Sequence, residues 1–177
     1  MVHIVGWEAE LNVPPRKMWK AFEDAGNLFP KLIPSHFKSI DILEGDGISA
    51  GTVRLIKYGK DVSAATFKKE KIEFVDEENM VTTHSVVDGE IMNTYKLYKL
   101  TLKISQGSRP NSCIVRWTIE FEPAKEGEMP HPENAKDTAI HTFKVLEGYL
   151  LTTPSWFSYF LNAYANTMYK VIIFELH

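Results

Sequence analysis

The chain has 177 residues, 44% of them apolar and 24% charged, with a formal net charge of −3. Those proportions exclude disordered, collagen-like and low-complexity classes and fit one globular domain whose core needs no staples. The small acidic surplus argues against a nucleic-acid partner, and a single cysteine, Cys113, excludes an internal disulfide and a cysteine metal cage.

Residues 3–13 alternate, with Val5, Trp7, Ala9, Leu11 and Val13 on one parity against Glu8, Glu10 and Asn12, which predicts a strand with one buried face. The early charge at Glu8 and the lack of a long apolar run are not those of a secretory signal, so with one thiol the chain is expected in the cytoplasm. Pro14-Pro15 then opens a helix carrying Met18, Phe22 and Ala25, which Gly26-Asn27 is expected to stop. A second short helix is read over Leu28 to Ile33, before Pro34.

From Phe37 to Pro123 the pattern has period two, broken by turns at residues 44–47, 76–79, 88–89 and 106–111. Six strands are expected here, with Val53, Leu55, Ile72, Phe74, Tyr98, Leu100, Leu102 and Ile104 among their apolar positions. The cleanest alternation is Cys113, Val115, Trp117, Ile119 and Phe121. Short hairpin links make the sheet antiparallel, with one wet face. Pro132-Glu133 then starts a helix whose Ala135, Ala139, Phe143, Leu146 and Leu150 form one apolar stripe, the main element available to cover the sheet. Beyond Pro154, Phe157, Phe160, Leu161, Tyr164, Met168, Val171 and Ile172 recur at helical spacing. This predicts an amphipathic extension, too short and too polar to span a bilayer. It is read as a cap on the domain or as a homodimer seam through residues 155–173.

Asn27-Leu28-Phe29-Pro30-Lys31, the loop Gly45-Asp46-Gly47 to Gly51-Thr52, and Glu147-Gly148-Tyr149-Leu150-Leu151 resemble the plant pathogenesis-related class 10 proteins, the birch-pollen-allergen family. Residues 88–96, 112–117 and 131–133 resemble its major latex protein branch. The resemblance covers residues 1–153 and leaves 154–177 as an extension. It implies an α+β helix-grip fold: a seven-stranded curved antiparallel sheet around a long C-terminal helix, two short helices after the first strand, and a large apolar cavity between. It also implies a defence-related binding protein for a hydrophobic plant molecule of hormone, flavonoid, steroid or alkaloid type.

The loop of Gly45, Gly47 and Gly51 departs from the family's G-x-G-x-x-G spacing by one residue. A strand rather than a helix follows it, so a tight hairpin is expected instead of a phosphate cradle. Within the cavity the expected ligand-binding set is Leu55, Lys68, Glu70, Met80, Thr82, His84, Tyr98, Leu100, Trp117, Phe143 and Leu146. Parity with Ile72 and Phe74, taken as the inner face of the fourth strand, places Lys68 and Glu70 inward, and His84 falls on the neighbouring wall. Two readings of that trio stand open: an ion-paired or hydrated wall, or a proton-transfer set in which Glu70 or His84 is the general base of a cofactor-free isomerase or cyclase. Norcoclaurine synthases, which share the fold, use a Tyr and a Glu on one strand, a Lys on the next and an Asp on the one after. Carried across, the Glu falls on Glu70, but the other positions are Lys68, Thr82 and Leu100 or Thr101, so that condensation is not expected. Residues 58–63 do not resemble the gate of helix-grip hormone receptors. No histidine pair has metal-ligand spacing, and neither a metal nor a cofactor is expected.

Overall fold

The computed structural model describes residues 1–128, 130 and 132–152, with the backbone alone at 133 and 134. The extension and dimer seam expected beyond residue 153 lie outside the described residues. Strand β1 (His3–Leu11) leads to helices α1 (Pro15–Glu23) and α2 (Ala25–Leu32). Strands β2 (Phe37–Glu44), β3 (Val53–Tyr58), β4 (Phe67–Asp76) and β5 (Val81–Gly89) follow. A single helical turn, α3 (Ile91–Thr94), precedes β6 (Tyr95–Gln106), β7 (Cys113–Pro123) and the long helix α4 (Glu133–Thr152).

The seven strands form one antiparallel sheet in the order β1-β7-β6-β5-β4-β3-β2. Chain neighbours β1 and β2 therefore lie at opposite edges, and the α1–α2 pair must bridge them. That bridge seats α4 against the sheet: Phe22 of α1 meets Phe143 of α4 edge to face at 5.7 Å, and the Lys17 ammonium donates to the Leu150 carbonyl. The main core lies between β6, β7 and the helices, where Val115, Trp117, Ile104, Met18 and Leu146 are at most 1% exposed. Alternation on β7 holds along its length, with Cys113, Val115, Trp117, Ile119 and Phe121 all buried.

Three local expectations need correction. Gly26-Asn27 does not end a helix; the break falls at Asp24, whose carbonyl accepts from Asn27 and Leu28 and so starts α2 at once. The turn α3 was not foreseen, because Ile91-Met92-Asn93-Thr94 is too short for a helical period to show. On β4 the inward parity set by Glu70 and Ile72 slips at a register shift between Ile72 and Phe74. Phe74 is consequently half exposed, and Val75 turns to the interior.

The glycine loop is the β2–β3 hairpin. Asp46 fills it, accepting from the Ile48 amide at 2.9 Å, the Ser49 amide at 2.7 Å and the Ser49 hydroxyl at 2.6 Å. The amides a phosphate would need are thus already engaged by a carboxylate, which these bonds hold well below its usual range. Gly45 sits at φ 85°, and a Cβ there would meet Thr52 Cα at 2.9 Å. Gly45→Ala should cost about 1–3 kcal/mol in urea unfolding. An unchanged midpoint would show that the hairpin relaxes freely.

Candidate functional site

Between the inner face of the sheet and α4 lies a cavity of about 1000 Å3. Exposed lining residues mark its mouth: Ile48, Ser49 and Ala50 in the β2–β3 hairpin, Asp61, Ser63 and Ala64 after β3, and Asp137 and His141 on α4. At about 24 cal/mol per Å3, a dry void of this size would cost roughly 24 kcal/mol, more than the 5–15 kcal/mol by which a whole domain is stable. The space is therefore one that water or a ligand fills.

Of the residues expected from sequence, Lys68, Glu70, Thr82, His84, Tyr98, Leu100, Trp117 and Phe143 line this cavity. Leu55, Met80 and Leu146 are not among its lining. On β3 both parities carry apolar residues, and it is Arg54 and Ile56 that face inward, leaving Leu55 on the other side. Met80 sits in the β4–β5 turn at φ 53° and packs against the main core. Leu146 is wholly buried in that core, behind the cavity wall. Trp7 and Phe121, on the buried parities of β1 and β7, pack into the core as well.

The polar part of the wall spans β3, β4 and β5. Glu70 is 4% exposed and stands opposite Arg54 in the β3–β4 ladder. Its Oε1 accepts from Arg54 Nε at 3.1 Å and from Arg54 Nη2, and its Oε2 accepts from the Lys68 ammonium at 2.7 Å. His84 Nδ1 lies 2.9 Å from Arg54 Nη2 and 3.1 Å from Glu70 Oε1, and its Nε2 lies 2.9 Å from the Thr82 hydroxyl. Thr82 donates its one hydrogen to the Phe74 carbonyl at 3.2 Å, so His84 Nε2 donates to Thr82 and Nδ1 is left to accept from Arg54.

Burial pushes the Glu70 carboxyl up, but the Lys68 ammonium and the Arg54 guanidinium outweigh it and hold it well below the usual carboxylate range. Burial likewise pulls Lys68 down, and the adjacent Glu70 carboxylate more than restores it. The Lys68 ammonium also lies near the Tyr58 hydroxyl, and burial raises the phenols of Tyr58 and Tyr98. Arg54 and Tyr58 were missed in the sequence. The signal that finds Arg54 is the hairpin register, which sets an arginine opposite a glutamate across two adjacent strands.

At the mouth, the rings of His36 and His141 stack at 4.7 Å, joining the segment before β2 to α4. Burial first, and the charge of His141 second, hold His36 below its ordinary 6.5, with Asp61 opposing. Because its folded value lies below the unfolded one, His36 contributes full stability above about pH 6.5, and that contribution is lost as pH falls through the folded value. Melting temperature should fall between pH 7 and pH 5, and His36→Asn should shrink that fall. A variant with the parent's slope would remove the pair from the acid response.

A one-sided antiparallel sheet gripping a long helix over an internal cavity defines a class of small ligand-binding folds. Residues 1–153 match the pathogenesis-related protein Bet v 1 family, and the chain belongs to that family. MLP-like protein 423 of Arabidopsis thaliana is 36% identical over 148 residues, covering 84% of this chain and 94% of that protein. The major strawberry allergen Fra a 1-C of Fragaria ananassa is 34% identical over 147 residues, covering 81% and 91%. Among solved structures, ginseng major latex-like protein 151 from Panax ginseng superposes with a TM-score of 0.75 at 21% identity, over 85% of this chain and 98% of that one. Norcoclaurine synthase from Thalictrum flavum, in complex with dopamine and hydroxybenzaldehyde, superposes with a TM-score of 0.69 at 18% identity, over 88% and 90%. These two likenesses concern the fold alone. Among the described residues no helix is long and apolar enough to cross a membrane, and no group of His, Cys, Asp or Glu could hold a metal ion.

Proposed function

We propose that this chain binds and carries a hydrophobic or amphipathic plant small molecule, of hormone, flavonoid, steroid or alkaloid type, in its internal cavity, in a defence-related role in the cytoplasm. The observation that carries this reading is the cavity of about 1000 Å3, with Phe22, Phe29, Leu100, Trp117 and Phe143 on its wall. Burying ~400 Å2 of apolar ligand surface at ~25 cal/mol per Å2 gives ~10 kcal/mol gross. After association costs of at least ~4 kcal/mol, at most about 6 kcal/mol remains, a Kd no tighter than tens of micromolar before any polar contact. The cytoplasmic setting rests on one free buried thiol, Cys113, which burial pushes up to about 11.

The alternative is a cofactor-free isomerase or cyclase with Glu70 or His84 as general base. The site's geometry favours the carrier. Both Glu70 oxygens are engaged, that carboxyl is held far too acidic for a base near neutral pH, and the open His84 nitrogen faces a guanidinium. Purified protein should bind the neutral fluorophore N-phenyl-1-naphthylamine saturably at one per chain, and native mass spectrometry of protein from its source tissue should find a small-molecule adduct. Failure of both sinks the carrier reading. Turnover of a pathway intermediate, abolished in Glu70→Gln, would favour the enzyme instead.

A further inference from the structure

The buried charges on the cavity wall do not sum to zero. Arg54 and Lys68, with side chains 11% and 15% exposed, face one carboxylate, Glu70, at 5%. With His84 donating through Nε2 and accepting at Nδ1, the ring is neutral, and the wall carries one positive charge in excess. Among the described residues no other buried acid on the lining cancels it: Glu23 is paired with Lys20 at 2.7 Å, and Glu77, Asp61 and Asp137 are exposed and screened by solvent. Donors are in excess too: an ammonium and a guanidinium offer more N–H groups than one carboxylate can accept from.

An unbalanced charge in a desolvated wall is costly, and the cost is relieved by an anion that arrives with the ligand. An apolar or neutral ligand displaces water from these cations and supplies nothing in return. Resting on the carrier reading, we propose that the cavity selects its ligand as a monoanion: an amphipathic organic acid whose ionised head is held by Lys68 and Arg54 on β3–β4. Its apolar body would lie along Leu100, Trp117 and Phe143. The Tyr58 hydroxyl beside Lys68 gives the head a polar neighbour, and the phenols of Tyr58 and Tyr98 stay protonated beside it. The single excess charge matches a carboxylate or sulfonate better than a doubly ionised phosphate.

Two probes with one ring system test this. 8-Anilino-1-naphthalenesulfonate is N-phenyl-1-naphthylamine with a sulfonate added, so the ratio of their affinities isolates the anionic head. By calorimetry at pH 7 the sulfonate should bind at one per chain and about tenfold or more tighter, the size of one charge-assisted hydrogen bond in a desolvated site. Lys68→Met leaves Arg54 and Glu70 as a balanced pair, and in it the ratio should fall toward one. Lys68→Arg should keep it. Where Lys68→Met does not fold, Lys68→Gln, which still bonds Glu70, carries the same comparison.

If the neutral probe binds as tightly as the sulfonate, the monoanion inference falls while the carrier reading stands. If the preference survives the loss of Lys68, the head is not held at this wall and the inference falls. If neither probe binds saturably, the monoanion inference falls, and the carrier reading falls with it when native mass spectrometry also finds no adduct.

Discussion

Glu70→Leu should lose about 3–5 kcal/mol of folding stability in the ligand-free protein, because it leaves Arg54 and Lys68 facing each other in a buried wall without their carboxylate. Urea midpoints read the loss. Replacing Arg54, Lys68 and Glu70 together by apolar residues of similar volume should recover most of it, since a buried ionic group seldom stabilises more than a well-packed apolar one. A Glu70→Leu variant as stable as its parent would mean that water already screens the trio. The acid limb carries the same signature. The folded carboxyl of Glu70 lies well below 4.5, so its contribution is present above that pH and is lost as pH falls through the folded value. Glu70→Gln should flatten that part of the profile.

Trp117→Ala should lose about 3–5 kcal/mol, the largest effect expected of a purely apolar truncation here. Trp117 is 1% exposed, stands edge to face with Phe143 at 4.8 Å, and meets Trp7 at 6.0 Å. It is the brace between β7 and α4 on which the cavity wall is built. Among the described residues its indole N–H meets no acceptor, and Trp117→Phe keeps a ring against Phe143, so it should cost far less than the alanine. Equal losses for the two variants would show that the ring's second lobe, and not the aromatic contact, carries the stability. Because Trp117 also lines the cavity, Trp117→Ala enlarges the space and should weaken the neutral fluorophore along with the fold.

The seven strands and the α4 stripe were legible in the sequence because they rest on period, which packing does not overrule when one face is buried and the other wet. Cys113 to Phe121 is the plainest case. The inward turn of Lys68, Glu70 and His84 was legible for the same reason. Legibility ended where period is ambiguous or interrupted. On β3, Val53 and Leu55 compete with Arg54 and Ile56, and only pairing with β4 decides which parity faces in. On β4 a register shift reverses the parity after Ile72, and no residue there announces it. The stacked His36 and His141 lie 105 positions apart, beyond the reach of any local pattern.

Cys113 has a use beyond packing. It is the chain's single thiol, 0% exposed on β7 between β1 and β6, with ionisation suppressed by its surroundings. An alkylating reagent can reach it only when those three strands part. Its labelling rate under native conditions is thus a clock for rare openings of the central sheet, readable by mass without altering a residue. A bound guest that steadies the sheet should slow that clock in proportion to its occupancy.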